Sequence, residues 1–329
     1  MNNTPSNNTN KPNYITSTSS LPSTNNNHFI KKIQTCAITF QGNASNGLQQ
    51  DAFFFLDDWY QETLGIMPIQ DIDGQFCLAV SDGVASSNYS QHCAKAVVKA
   101  IATLWQQQHS VSINDIYQWI NNPKNICKNG KKLNPKWLGA CATLAMVQAY
   151  PLIHKSNQNN DDNEQLQQSY DITITHMGDS RVYLQRLADN QLTNKQNTNG
   201  WRWLTRDHNL LNELVEQKAN EQGIAVNPND YNKDGMAGSL YGLTECFMLG
   251  SSNEEDIDNE GTQQTLNIQA GDCLLICTDG IHDLVPCQDW QSIDANTELD
   301  TWLKALKKQV YHSKGRAYDN GTAIVVRFL

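Results

Sequence analysis

Two kinds of apolar pattern divide this chain. Short unbroken runs, bounded by Gly, Asn, Asp or Ser, predict buried strands. They lie at 32–40 (KIQTCAITF), 51–56 (DAFFFL), 75–80 (QFCLAV), 141–149, 171–177, 182–186, 201–205, 265–268, 272–277 and 322–328. Elsewhere apolar residues recur every three or four positions, the spacing of a helix with one buried stripe. One such helix covers 89–107 through Cys93, Val97, Ile101 and Leu104. A second opens at Ser112, a good N-cap, with Asp115 in its first turn. A third spans 210–222, with Leu211, Leu214 and Val215 on one face, and a fourth spans 299–311 on Trp302, Leu303, Leu306 and Val310.

Between these elements the chain is polar. Segments 42–47, 121–135 and 227–238 are rich in Asn, Gly, Lys and Pro and read as loops. The polar insert 155–169 reads as a long hairpin loop, and Gly178-Asp179-Ser180-Arg181 as a tight hairpin turn between its flanking strands. Residues 1–28, mostly Asn, Ser and Thr, predict a disordered polar tail and lack the apolar middle of a secretory signal. No internal repeat is present. Many strands joined by short turns, with few long helices, predict an α+β fold: a β-sandwich flanked by helices, in one domain over 29–329.

Composition narrows the possible roles. Hydrophobic residues at 39% and charged residues at 18% suffice for a sizeable core. No run approaches the roughly 18 apolar residues of a membrane span, so a soluble protein without a membrane partner is expected. A net charge of −10, without a cluster of Lys and Arg, argues against nucleic-acid binding. The nine cysteines are scattered singly and read as reduced core residues of a cytoplasmic protein. Cys273 and Cys277, four apart in an apolar run, read as core rather than as zinc ligands.

The acidic residues carry more. Two apolar runs end alike, in Asp82-Gly83 and in Asp279-Gly280. A carboxylate there is positioned by rigid backbone, and the following glycine lets main chain approach an ion or water closely. One Asp-Gly alone is an ordinary turn. Asp51, at the start of DAFFFL, and Asp319, just before the last strand, raise the number of strand-end carboxylates to four. Mg²⁺ and Mn²⁺ prefer oxygen ligands and keep several waters, so a few converging carboxylates can hold a pair of ions. Such a pair activates a water and neutralises a phosphoryl group, the two requirements of phosphate-ester hydrolysis.

In order, LQQDAF (48–53), VSDGV (80–84), GACATLAMV (139–147), HMGDSRVYL (176–184), LTRDHN (204–209), GDCLLICTDGIHDLV (271–285) and DNGTAIVV (319–326) resemble the metal-dependent serine/threonine protein phosphatases of type 2C. Their order across 32–328 is the specific feature. The resemblance implies a double antiparallel β-sandwich between helical layers and two Mn²⁺ or Mg²⁺ ions at one edge. It makes Asp82, with the Gly83 carbonyl beside it, the bridging ligand, and Asp279 and Asp319 ligands of the first ion. Asp51 would serve the cluster directly or through water, and Asp179 would hold a third, weaker ion.

Asp82 and Asp279 would act catalytically through metal-bound water, which attacks phosphoserine or phosphothreonine in line. The implied protein is a monomeric cytoplasmic signalling enzyme acting on phosphoproteins, with a flap subdomain at about 211–239. Arg181 is expected in a structural ion pair, His208 as turn scaffolding and Arg206 at the surface. Two departures stand out. Many relatives carry a phosphate-binding arginine about five residues before Asp51, where this chain has Asn46; Lys32 or a flap residue would have to replace it. Ala85-Ser86-Ser87 stand where relatives usually have glycines after the valine, and Val84 leaves no histidine to act as a general acid. Two other functions share these residues: a phosphatase-like binding module without turnover, and a hydrolase of small phosphate esters.

Overall fold

The computed structural model describes residues 29–43, 47–62, 65–126, 133–155, 166–186, 199–226, 231, 238–251, 261–313 and 319–329. The expected tail 1–28, Asn46 and most of loop 227–238 lie outside them. In chain order the elements begin with β1 (Ile33–Phe40), β2 (Ala52–Phe55), β3 (Asp58–Tyr60), β4 (Gly65–Ile66), β5 (Gln70–Ile72) and β6 (Phe76–Ser81). Helices α1 (Ser90–Gln108), α2 (Ile113–Ile120) and α3 (Pro123–Ile126) come next. Then follow β7 (Cys141–Ala142), β8 (Leu144–Lys155), β9 (Leu166–Met177), β10 (Arg181–Gln185), β11 (Trp201–Trp203) and α4 (Leu210–Gln222). The chain closes with β12 (Phe247–Met248), β13 (Thr262–Ile268), β14 (Cys273–Cys277), α5 (Asp279–His282), α6 (Leu299–His312) and β15 (Gly321–Phe328).

The strands form two antiparallel sheets. One runs β11-β10-β14-β15-β1-β4, with β5 also paired to β1; the other runs β13-β9-β8-β6-β2-β3. Side chains alternate across each strand, so one strand feeds two cores. Phe53, Phe55, Leu78 and Val80 meet Ala37, Leu274, Ile324 and Val326 between the sheets. Ala52, Phe54, Cys77 and Ala79 pack outward against Val97, Ile101 and Trp105 of α1. On the opposite side, Cys36, Leu275 and Val325 pack against Trp302, Leu303 and Val310 of α6. Helix, sheet, sheet, helix is therefore the layer order, and it explains why the strands read as unbroken apolar runs: both faces are covered. The α6 stripe is buried as its spacing predicts, and Ser112 and Asp115 form a reciprocal capping box.

Several expectations are corrected. The run 141–149 is not one strand: β7 pairs with β12 in a separate two-stranded sheet, and β8 begins only after Thr143. The Gly178–Arg181 turn is not a hairpin, because β9 and β10 belong to different sheets and the turn carries the chain between them. The insert 155–169 is shorter as a loop than expected, since β8 and β9 stay paired out to Lys155 and Leu166. On α4, Leu211 is buried but Leu214 is 44% exposed, so the apolar stripe there is only half covered. No helix among the described residues is long and apolar enough to cross a membrane. The eight described cysteines are all free, six of them buried.

Candidate metal centre

Register brings the carboxylates together. Ala52 pairs with Ser81, so the next antiparallel step sets Asp51 beside Asp82 at the end of β2 and β6. In the other sheet Cys277 pairs with Ala323, and Phe40 with Gly321, which brings the Asp279 turn to the start of β15, next to Asp319. The two sheet ends meet at Asp51. Its Oδ2 accepts from Thr278 Oγ1 at 2.9 Å and from Thr322 Oγ1 at 2.7 Å, both hydroxyls from the opposite sheet. Thr39 Oγ1 lies 3.0 Å from Thr322 Oγ1 and takes a further bond from Gln49 Nε2 at 3.0 Å. This threonine relay was not singled out in the sequence, because threonine is an ordinary strand residue.

The glycines after Asp82 and Asp279 leave no room for a side chain. A Cβ at Gly280 would lie 2.0 Å from the Asn320 carbonyl oxygen, and one at Gly83 would lie 2.8 Å from the Ser90 backbone. Protein backbone makes both close approaches.

Thr143 fixes the Asp82 turn. Its N–H donates to the Asp82 carbonyl at 2.8 Å, its Oγ1 accepts from the Asp82 N–H at 3.2 Å, and the same Oγ1 is 2.7 Å from Ser180 Oγ. The break between β7 and β8 thus frees this residue to tie Asp82 to the crossover carrying Asp179. His208 holds that crossover: its N–H donates to the Gly178 carbonyl at 2.8 Å, and its Nδ1 accepts from the Gly178 N–H at 3.0 Å. Arg181 forms a bidentate pair with Asp207, at 2.8 and 2.6 Å, as expected of a structural arginine. Arg206 is not at the open surface: it pairs with Glu216 at 3.0 Å with its side chain 20% exposed, beneath the Tyr231 ring. Lys32 cannot replace the absent arginine. It pairs with Asp71 at 3.0 Å at the far end of β1 from the carboxylates, roughly 26 Å along the strand.

Electrostatics set this cluster apart. Asp51 is 1% and Asp82 7% exposed, whereas Asp179 and Asp279 are partly open to solvent. Burial pushes the Asp51 carboxyl up to about 7, with the Asp319 charge adding to it and the Thr322 and Thr278 hydroxyls opposing. Burial, followed by the charges of Asp279 and Asp51, holds Asp82 well above the carboxylate range. Asp279 is held up by burial and then by Asp179 and Asp283, and Asp179 reaches about 7 through burial and Asp207. Asp82 thus lies within electrostatic reach of both Asp279 and Asp51.

A cation fits this donor set. Asp51 Oδ1 and Asp279 Oδ1 are buried with no hydrogen-bond partner, an arrangement that costs free energy unless a cation or water meets them. Among the described residues no three His, Cys, Asp or Glu side chains alone enclose an ion.

No protein-family model and no curated protein matches the chain. Solved structures do. The catalytic domain of the serine/threonine phosphatase PstP, in complex with two manganese ions, is 16% identical over 91% of this chain and 99% of that one, with a TM-score of 0.53. The Mycobacterium tuberculosis serine/threonine phosphatase PstP/Ppp matches at 16% identity over 90% and 99%, with a TM-score of 0.53. The S. agalactiae serine/threonine phosphatase matches at 19% identity over 90% and 100%, also with a TM-score of 0.53. The chain has the α+β sandwich fold of these serine/threonine phosphatases, as the resemblance implied.

Proposed function

We propose that the chain is a metal-dependent protein serine/threonine phosphatase whose centre is built on Asp51, Asp82, Gly83, Asp279 and Asp319, with Asp179 serving a third ion. The observation that carries this reading is a group of carboxylates gathered from the ends of both sheets, in which Asp51 Oδ1 and Asp279 Oδ1 are buried without hydrogen-bond partners. Bound Mn²⁺ or Mg²⁺ would supply Lewis-acid neutralisation of the phosphoryl oxygens and acidify a coordinated water. The chain's own residues do the rest. Asp82, within electrostatic reach of both Asp51 and Asp279, is the central oxygen donor, and the Gly83 carbonyl lies beside it in the same turn.

Thr278 and Thr322 orient Asp51 by donating to one of its oxygens, which leaves the other free to meet a cation or its water. Val84 offers no proton to a leaving seryl or threonyl oxygen. The free thiols among the described residues fit a reducing compartment, the cytoplasm. The test is phosphate release from p-nitrophenyl phosphate and from phosphoserine and phosphothreonine peptides as Mn²⁺ is titrated. Turnover of peptides that a chelator stops supports the reading. Tight peptide binding without turnover would replace it with a binding module, and turnover of small esters alone with a metabolite hydrolase.

A further inference from the structure

We propose that His282 is a positioning residue that ties Asp179 to the element bearing Asp279, and so governs cation binding on that side of the cluster. The proposal rests on the metal-dependent reading above. Asp179 sits in a three-residue crossover between sheets, where no strand ladder fixes it. Each residue there has its own anchor: Gly178 is held by His208, Ser180 by Thr143, and Asp179 by His282. His282 Nε2 lies 3.1 Å from the Asp179 carbonyl oxygen. A carbonyl only accepts, so Nε2 carries the proton that it donates.

The other edge of the ring faces Asp283, with Nδ1 3.1 Å from its Oδ1 but no hydrogen bond between them. The side chain is 2% exposed, and its ring centroid lies 6.4 Å from that of Tyr183. It therefore has no room to adopt a second orientation. His282 follows Asp279 by three residues on the single turn of α5, so the two share a face. One rigid turn thus carries a carboxylate of the cluster and the donor that fixes another. Losing that donor loosens Asp179 relative to Asp279 while leaving both carboxylates in the chain.

The test is a calorimetric titration of Mn²⁺ into the full chain. His282→Phe keeps a ring and removes the donor; His282→Gln places an amide N–H near the Nε2 position. We expect His282→Phe to weaken the weaker Mn²⁺ event about tenfold or more, and His282→Gln to stay within about threefold of wild type. In turnover assays the Mn²⁺ concentration needed for half-activation should rise in His282→Phe, with kcat at saturating Mn²⁺ unchanged. In an Asp179→Asn background, His282→Phe should add no further loss. Wild-type affinity in His282→Phe, or a loss in His282→Gln equal to that in His282→Phe, would overturn the proposal, as would an undiminished loss in the Asp179→Asn background. Should His282→Phe fail to fold, His282→Leu, which also lacks the donor, must show the same selective weakening, and wild-type binding there overturns it. Wild-type protein that binds no Mn²⁺ overturns the metal-dependent reading and this proposal with it; binding that ignores His282 overturns this proposal alone.

Discussion

Two charged groups flank the crossover between the sheets and are built on opposite principles. At Arg181 and Asp207 the protein supplies both signs: side chains 8% and 4% exposed meet in a bidentate pair. At Asp51, Asp82, Asp179 and Asp279 it supplies one. The largest influences on Asp82 after burial are other carboxylates, which raise it, rather than a paired cation. The first group pairs its own charges. The second gathers charge of one sign, which marks it as a site rather than as a structural ion pair.

The comparison breaks first at activity. Asp82→Asn should lower Mn²⁺-dependent phosphate release by about 10³-fold, the scale of losing a central electrostatic contribution. The same change should stabilise the metal-free protein by about 1 kcal/mol at pH 7.5, because it relieves carboxylate repulsion. Thermal melts with a chelator present check the second half; a destabilised metal-free variant would place Asp82 with the structural pairs.

Arg181→Ala should do the reverse. Leaving Asp207 buried without its partner costs about 3–5 kcal/mol, while replacing both partners by apolar residues of similar size, Arg181→Met with Asp207→Leu, recovers most of it. Denaturant unfolding of the single and double variants measures the difference.

A smaller effect is the pH dependence of stability. Asp51 and Asp179 are raised from 3.8 to about 7 in the folded protein, so their contribution is full below about pH 4 and is lost as pH rises through 7. His208, lowered by burial to about 4, has the opposite sign: its contribution is present above 6.5 and is lost as pH falls toward 4. Above pH 6.5 the raised carboxylates titrate against one opposing group, the Cys141 thiol, which Cys246 lowers to about 7. Metal-free protein should therefore lose roughly 1 kcal/mol per pH unit between pH 6.5 and 8, and saturating Mn²⁺ should flatten that slope. Melting temperatures across that window, with and without chelator, provide the check.

Much of this contrast was legible in the sequence. The four strand-end aspartates stood out because a carboxylate recurred at the same place on successive apolar runs, and α6 because its stripe is long and regular. What stayed hidden depends on pairing between distant segments. Alternation in GACATLAMV runs unbroken through Thr143, yet β7 and β8 join different sheets. The Gly178–Arg181 turn has hairpin chemistry, and only sheet membership reveals it as a crossover. Edge strands β3, β4 and β5, two or three residues each, are too short for a period to register. The threonine relay and His282 were invisible for a similar reason. Their roles come from partners far away in the chain, such as Thr322 on Asp51 and His282 on Asp179.

The central claim is that these crowded carboxylates form a cation site that gives up protons as it fills, and it is tested most directly by counting protons as Mn²⁺ binds. Calorimetric titration at pH 6.5, in two buffers of different ionisation enthalpy, gives that count. Wild-type protein should release about one proton or more per molecule, with a smaller release from Asp82→Asn. Mn²⁺ binding without proton release, or no Mn²⁺ binding at all, would contradict it.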